Sequence, residues 1–354
     1  MSSGIFCVYG AASLNSGKPK GWSDSMEVEQ KVKVVITGGT GFIGSNLAKS
    51  LLDDGHDVVI LTRQPARSAR LAHPFLDKAT WAAWPGDAAN DPERKPLDVQ
   101  PADEDQWLSA LDGADAVVHL AGTSIAAGRW NHARKAAIRN SRILGTRNLV
   151  QGISRLNRPP RVLISGSAIG FYGPRGDEEV TETDSPGRGF LSQVCQEWEQ
   201  EARAAEQVGV RVILLRTGLV LDGKHGALPR MLLPFRLWIG GPLGNGQQWM
   251  SWIHLRDQIG LIRFLLEHPE ANGPYNATAP RPVTNRQFSR IIGRLMHRPS
   301  LFPAPAPMLR LFLGEMAEEL LLTGQRAIPK RALEQGYSFQ YADLESALAD
   351  ILRR

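Results

Sequence analysis

The run Lys33-Val-Val-Ile-Thr-Gly38-Gly-Thr-Gly41-Phe-Ile-Gly44 constrains this chain more than any other stretch. An apolar strand enters a turn punctuated by glycines at 38, 41 and 44, and an amphipathic segment with Leu47, Ala48, Leu51 and Leu52 follows. Glycines at this spacing occur in many turns; between a strand and a helix they are the arrangement that binds a dinucleotide. The first glycine permits the tight turn, and the second lets backbone approach a pyrophosphate. The third lets helix pack on strand, and the helix N-terminus supplies the positive end for the phosphates. Gly38, Thr40, Gly41, Phe42, Ile43 and Gly44 are therefore the expected cofactor contacts of this turn.

The pattern repeats through the first half. Val34–Thr37, Val58–Thr62, Ala116–Leu120, Arg161–Ser165 and Val210–Arg216 read as strands. Asn46–Asp54, Ala133–Leu156 and Gln193–Gln207 read as the helices between them. Residues 81–106, rich in proline and charge, read as a surface excursion ending in a short helix, Glu104–Leu111. Strands alternating with helices at this spacing predict an α/β fold: a Rossmann-type, doubly wound parallel sheet. After Thr217 glycine, proline and tryptophan become frequent, and helical stretches follow at Gln258–Glu267 and Asn285–Met296. A leucine-rich segment, Met308–Leu322, is suited to cover a cleft. The expected division is a leader at 1–30, a nucleotide-binding domain at 31–270 and a smaller C-terminal lid region at 271–354.

Composition removes several classes. A hydrophobic fraction of 42% and a charged fraction of 22% are those of an ordinary globular protein. No run approaches the roughly 18 apolar residues that cross a bilayer. The net charge of +5 is scattered among acids, which argues against nucleic acid as a partner. No membrane partner is expected either. Two cysteines, Cys7 and Cys195, cannot form a disulfide framework, so a reducing compartment is expected. No basic residue precedes the apolar patch at 5–9, which argues against secretion. An organellar transit segment and translation from Met26 both remain open, and with them a cytoplasmic or an organellar (plastid or mitochondrial) location.

Arg63 ends the second strand, about 20 residues beyond the last glycine, where folds that prefer NAD place an acid for the ribose 2′-hydroxyl. An arginine there accommodates the 2′-phosphate, so Thr62 and Arg63 indicate NADP(H). The run Asp115-Ala-Val-Val-His119-Leu-Ala-Gly122 ends a strand in small residues that let backbone approach a ligand, which adds Leu120, Ala121 and Gly122 to the cofactor set. His119 reads as a packed strand-end residue. The eight histidines have no paired metal-ligand spacing.

Thr37-Gly-Gly-Thr-Gly-Phe-Ile-Gly44, the His119–Gly122 turn and Ser165-Gly-Ser-Ala-Ile-Gly-Phe-Tyr172-Gly173 together resemble an extended short-chain dehydrogenase/reductase. Arg129-Trp130, Ser141-Arg142, Arg216-Thr217-Gly218, Leu232-Leu-Pro-Phe-Arg236, Trp252-Ile-His254 and Gly314-Glu-Met-Ala narrow the resemblance. It points to the atypical SDR39U1-like epimerase family, whose C-terminal segment is a domain of unknown function. The resemblance covers about residues 33–350, apart from the 84–103 insertion. It implies Arg142 as a cofactor contact on the helix after the Leu120–Gly122 turn. It also implies Val220 as a backbone or packing contact near the nicotinamide end.

The resemblance also exposes a gap. Ordinary members use Tyr-x-x-x-Lys: the tyrosine passes a proton and the lysine lowers its pKa. Here Leu191 and Cys195 stand at those two positions. Ser167 and Tyr172 are the expected substitutes, Ser167 by polarising a carbonyl and Tyr172 by donating a proton if its ring turns into the cleft. The implied activity is hydride transfer on an unidentified small molecule, within an oxidoreductase or epimerase reaction. The alternative is a non-catalytic NADP(H) sensor or scaffold, since some relatives carry names linked to cell or plastid division. A homodimer is also compatible with the resemblance, because many relatives pair through two long helices.

Overall fold

The structure is a computed structural model and describes residues 31–71, 74–86 and 104–353. The expected leader and most of the 84–103 insertion lie outside the described residues. Lys31–Arg354 forms one compact unit.

Seven parallel strands build the central sheet. They are β1 (Lys33–Thr37), β2 (Asp57–Thr62), β3 (Thr80–Ala83), β4 (Ala116–His119), β5 (Val162–Ala168), β6 (Arg211–Thr217) and β7 (Gly273–Ala277). Their order is β3-β2-β1-β4-β5-β6-β7. Nine helices are used below: α1 (Phe42–Asp53), α2 (Pro65–Leu71), α3 (Glu104–Leu111), α4 (His132–Ile153), α5 (Phe190–Arg203), α6 (Leu228–Arg236), α7 (Leu255–Glu267), α8 (Asn285–Met296) and α9 (Ala306–Leu313).

Period-two alternation sends each strand's side chains to two separate cores. Val34, Ile36, Val58, Ile60, Val118 and Ile164 meet Leu47 and Leu51 of α1 and Leu261 and Leu265 of α7. Val35, Val59, Val117 and Leu163 face the other way and meet Trp107 of α3, Leu149 and Ile153 of α4 and Ala202 of α5. Both faces are covered, so the strands read as continuous apolar runs. Each fully buried valine or isoleucine contributes about 1.5–3 kcal/mol over exposure. Among the described residues no helix is long and apolar enough to cross a membrane.

Two elements fall outside the sequence expectations. Thr80–Ala83 pairs with β2 as the edge strand β3, overlapping the start of the 81–106 stretch expected to be irregular. Its four residues give too short a run to show a period. Gly273–Ala277 extends the sheet as β7 beyond residue 270, although it opens with Gly273 and Pro274. An edge strand tolerates both.

The C-terminal region has its own core. Leu228, Leu232 and Phe235 of α6 pack with Phe288 and Ile292 of α8 and with Leu344, Leu348 and Ile351 of the last helix, Leu344–Arg353. α8 opens with a capping box, Thr284 with Gln287. α9 and residues 315–322 then reach back to the sheet domain. Leu313, Met316 and Leu320 pack with Trp130, Ile138, Phe190 and Leu191. Two ion contacts hold this segment. Lys135 pairs with Glu315 at 2.8 Å, and Glu319 accepts the N–H groups of Phe190 at 3.1 Å and Leu191 at 3.3 Å.

Candidate functional site

Strand order reverses between β1 and β4, and there the two glycine-bearing turns meet. Such a switch point is where open α/β sheets bind ligands. Gly38 adopts φ +71°, and a Cβ there would lie 2.8 Å from the backbone of Leu120 and Ala121. Only glycine lets the two turns touch. A Cβ on Gly44 would overlap the Gly38 carbonyl oxygen, so α1 is packed onto the turn as closely as backbone allows. Gly41 is the N-cap of α1, with no side-chain cap and no acid in the first turn. The amides of Phe42, Ile43 and Gly44 open the helix at its positive end. Thr40 and Gly41 are exposed beside them, while the Phe42 ring stacks on His225, centroids 5.7 Å apart.

His119 clips this junction together. Thr146 Oγ1 donates to the Arg142 carbonyl at 2.6 Å, so toward His119 it accepts, and Nε2–H donates at 3.0 Å. Nδ1 is then the acceptor for the Thr37 hydroxyl at 2.6 Å, and Thr37 Oγ1 accepts the Ala121 N–H at 3.3 Å. Burial lowers the imidazole pKa to about 4, which keeps it neutral. His119 therefore joins β1, β4 and α4 and fixes the Leu120–Gly122 turn against Gly38. It acts as packing.

Arg63 is exposed at the end of β2, beside the glycine turn, because β2 runs parallel to β1 with Thr37 opposite Leu61. The Thr62 hydroxyl meets Ser68 of α2 at 3.1 Å. On the other flank Arg142 enters from α4. Its Nη1 donates to Thr123 O at 3.0 Å and Ile138 O at 3.1 Å, and its guanidinium lies 5.3 Å over the Trp198 ring. Its carbon would stand 3.3 Å from a Cβ on Gly122. Burial lowers its pKa. Val220 is buried on the short strand Leu219–Leu221, paired with Ile253.

The two groups expected to move protons are both buried and hydrogen-bonded. Tyr172 has no exposed surface; its OH donates to Asn276 Oδ1 at 2.7 Å and accepts from Arg216 Nη1 at 3.0 Å. Burial pushes the phenol up to about 12. The ring does not turn into the cleft, and this corrects its expected role as a proton donor: Tyr172 packs. Ser167, at the end of β5, is buried and donates to Glu199 Oε1 at 2.7 Å. Leu191 packs with Leu313, Met316 and Leu320. Burial pushes the Cys195 thiol up to about 11, so it is no thiolate nucleophile. Among the described residues no group of histidine, cysteine and carboxylate side chains could hold a metal.

Sequence reasoning missed Glu199. Arg216 clamps it with two bonds, Nε to Oε1 at 2.8 Å and Nη2 to Oε2 at 2.9 Å. The available signal was a carboxylate on the apolar face of α5, between Trp198 and Ala202.

Fold and site together define a dinucleotide-binding protein of the Rossmann class. Residues 34–278 match the NAD dependent epimerase/dehydratase family, and residues 304–351 match a domain of unknown function, DUF1731. The chain belongs to that epimerase/dehydratase family. Epimerase family protein YfhF of Bacillus subtilis is 37% identical over 322 residues, 91% of this chain and 98% of the relative. The chloroplastic SDR39U1 homolog of Arabidopsis thaliana is 37% identical over 333 residues, 93% of this chain and 89% of the relative. The crystal structure of human epimerase family protein SDR39U1 with NADPH superposes with a TM-score of 0.76 at 30% identity, covering 91% of this chain and 99% of that one.

Proposed function

We propose that this chain binds NADP(H) and performs slow hydride transfer on a small molecule, with Ser167 in place of the usual tyrosine. The observation that carries the cofactor assignment is the end of β2. Arg63 stands there, and no aspartate or glutamate occurs between Asp57 and Asp77 to take a ribose 2′-hydroxyl. The human relative crystallised with NADPH supports the same preference. Gly38, Thr40, Gly41, Phe42, Ile43 and Gly44 would hold the pyrophosphate, Thr62 and Arg63 the 2′-phosphate, and Leu120, Ala121, Gly122, Arg142 and Val220 the nicotinamide half.

Bound NADP(H) supplies the hydride chemistry. Ser167 is suited to accept a proton from a substrate hydroxyl as its own passes to Glu199 Oε1, 2.7 Å away. Arg216 already holds both Glu199 oxygens, at 2.8 and 2.9 Å, so the carboxylate is shared between donors and turnover is slow. The test is calorimetric titration of NADPH and NADH into wild type and Arg63→Ala, followed by single-turnover assays of Ser167→Ala. Arg63→Ala should lose most of the NADPH preference, roughly tenfold to a hundredfold in Kd. Equal affinity for both nucleotides in wild type removes the NADP(H) assignment. Transfer at the wild-type rate in Ser167→Ala removes the proton route.

One observation favours a second reading, a sensor or scaffold that binds the nucleotide without reaction. Leu191 fills the tyrosine position and packs against Leu313, Met316 and Leu320 of the lid segment. NADPH that stays reduced with every carbonyl substrate offered, while NADPH and NADP+ give different hydrogen-exchange patterns in residues 306–322, selects this reading.

A further inference from the structure

Residues 223–256 contain no aspartate or glutamate, and neither do residues 271–314, yet these two segments hold ten lysines and arginines. They also supply a group of large apolar side chains in water. Leu237, Trp238 and Ile239 follow α6 with 60%, 56% and 57% of their surfaces exposed, and Leu301 and Phe302 expose 76% and 54%. The two loops adjoin: the Phe302 N–H donates to Gly240 O at 3.1 Å, and Arg298 lies 4.1 Å over the Trp238 ring. Exposed Leu311 and Phe312 of α9 follow along the chain. Single exposed apolar residues are ordinary, whereas adjoining large ones mark contact surfaces.

Trp238 sits at φ +65°, the left-handed region that disfavours a bulky side chain. Strain that holds an indole out in water points to a use for it. The same two segments carry exposed cations. Arg236 is exposed at the end of α6, and Arg290 and Arg294 stand on the exposed face of α8, opposite its buried Phe288 and Ile292. Arg294 also pairs with Glu345 at 2.6 Å.

The geometry points to peripheral docking of this face on an anionic bilayer. Leu237, Trp238, Ile239, Leu301 and Phe302 enter the headgroup boundary, and the arginines meet lipid phosphates. An aromatic and aliphatic centre in two segments that carry ten basic residues and no acid, with Glu345 meeting only Arg294, complements an anionic lipid surface. A nucleic acid would leave the aliphatic side chains without a partner. The proposal departs from the expectation of no membrane partner, needs no crossing helix, and is independent of the cofactor reading.

The experiment is flotation of the full chain with vesicles of phosphatidylcholine alone or mixed with phosphatidylglycerol, at low and high salt. Wild type floats with the anionic vesicles and less so at high salt. Trp238→Gly with Phe302→Ser lowers binding roughly tenfold, with unchanged melting and NADPH affinity, because glycine suits φ +65°. Arg290→Glu with Arg298→Glu abolishes the salt-dependent part. Three results overturn the proposal: no flotation at low salt, flotation unaffected by the Trp238/Phe302 pair, or dimerisation in solution that the same pair abolishes.

Discussion

Glu199 Oε1 is shared by two donors, Ser167 Oγ at 2.7 Å and Arg216 Nε at 2.8 Å. The arginine and glutamate side chains are only 4% and 6% exposed. This pair ties α5 to β6, and through Tyr172 and Asn276 it reaches β7. Removing one member strands the other charge in the interior. Glu199→Gln should therefore cost about 3–5 kcal/mol. Urea denaturation measures it, and the double change Glu199→Leu with Arg216→Met should be less destabilised than Glu199→Gln alone. A loss below 1 kcal/mol, within the roughly 0–1 kcal/mol of a surface pair, rules out this account.

Gly44→Ala tests the close approach of α1 to its turn. The added methyl meets the Gly38 carbonyl oxygen, and neither backbone can yield without moving the amides that face the phosphates. Expected are a stability loss of about 1–3 kcal/mol and a fall in NADPH affinity of at least roughly tenfold. Calorimetry on the folded variant separates the two. Wild-type affinity would show that the turn adjusts freely.

His119 gives a pH signature. Its folded pKa of about 4 lies below the ordinary 6.5, so the unfolded chain binds the extra proton between those values. The stabilisation is complete above pH 6.5 and is lost as the pH falls toward 4, for about 3 kcal/mol in total. His254, also lowered to about 4 by burial, adds to the same decline. Denaturation midpoints at pH 7 and pH 4.5 read the slope. His119→Gln keeps a donor and an acceptor for Thr146 and Thr37 and should flatten it in part; an unchanged slope assigns the decline elsewhere.

Glu319 acts as an N-terminal cap for α5 supplied from residues 315–322. Glu319→Ala leaves the Phe190 and Leu191 amides without their acceptor, at about 0.5–2 kcal/mol. Amide exchange at 190–193 and at 315–322 should speed up together. Faster exchange in only one of the two segments would mean that the contact does not couple them.

The sheet and its phosphate turn were legible in the sequence because both rest on local rules. Val34–Thr37 followed by Gly38, Gly41 and Gly44 needs no distant residue to be understood. The Leu120–Gly122 turn could be anticipated for the same reason, and so could the packing role of His119. β3 was hidden, since a four-residue edge strand beside a proline-rich stretch carries no period. α6 was hidden by Pro229 and Pro234, which it accommodates near its start and by its end. The fate of Ser167 and Tyr172 depends on Glu199, Arg216 and Asn276, which lie 17 to 104 residues away from their partners. No local pattern announces such a network.

The two oxygens of Asp257 receive the backbone amides of Gln340 and Tyr341 at 2.7 and 2.9 Å. Ile328 O receives the Asn276 side chain, and Arg326–Ala327 pairs with Glu179–Val180. The tail is thus stitched into the middle of the chain at several points. A premature stop that deletes only the last few dozen codons would leave a buried carboxylate without its donors and a strand without its neighbour, and cells would register the loss as an absent protein rather than a shortened one.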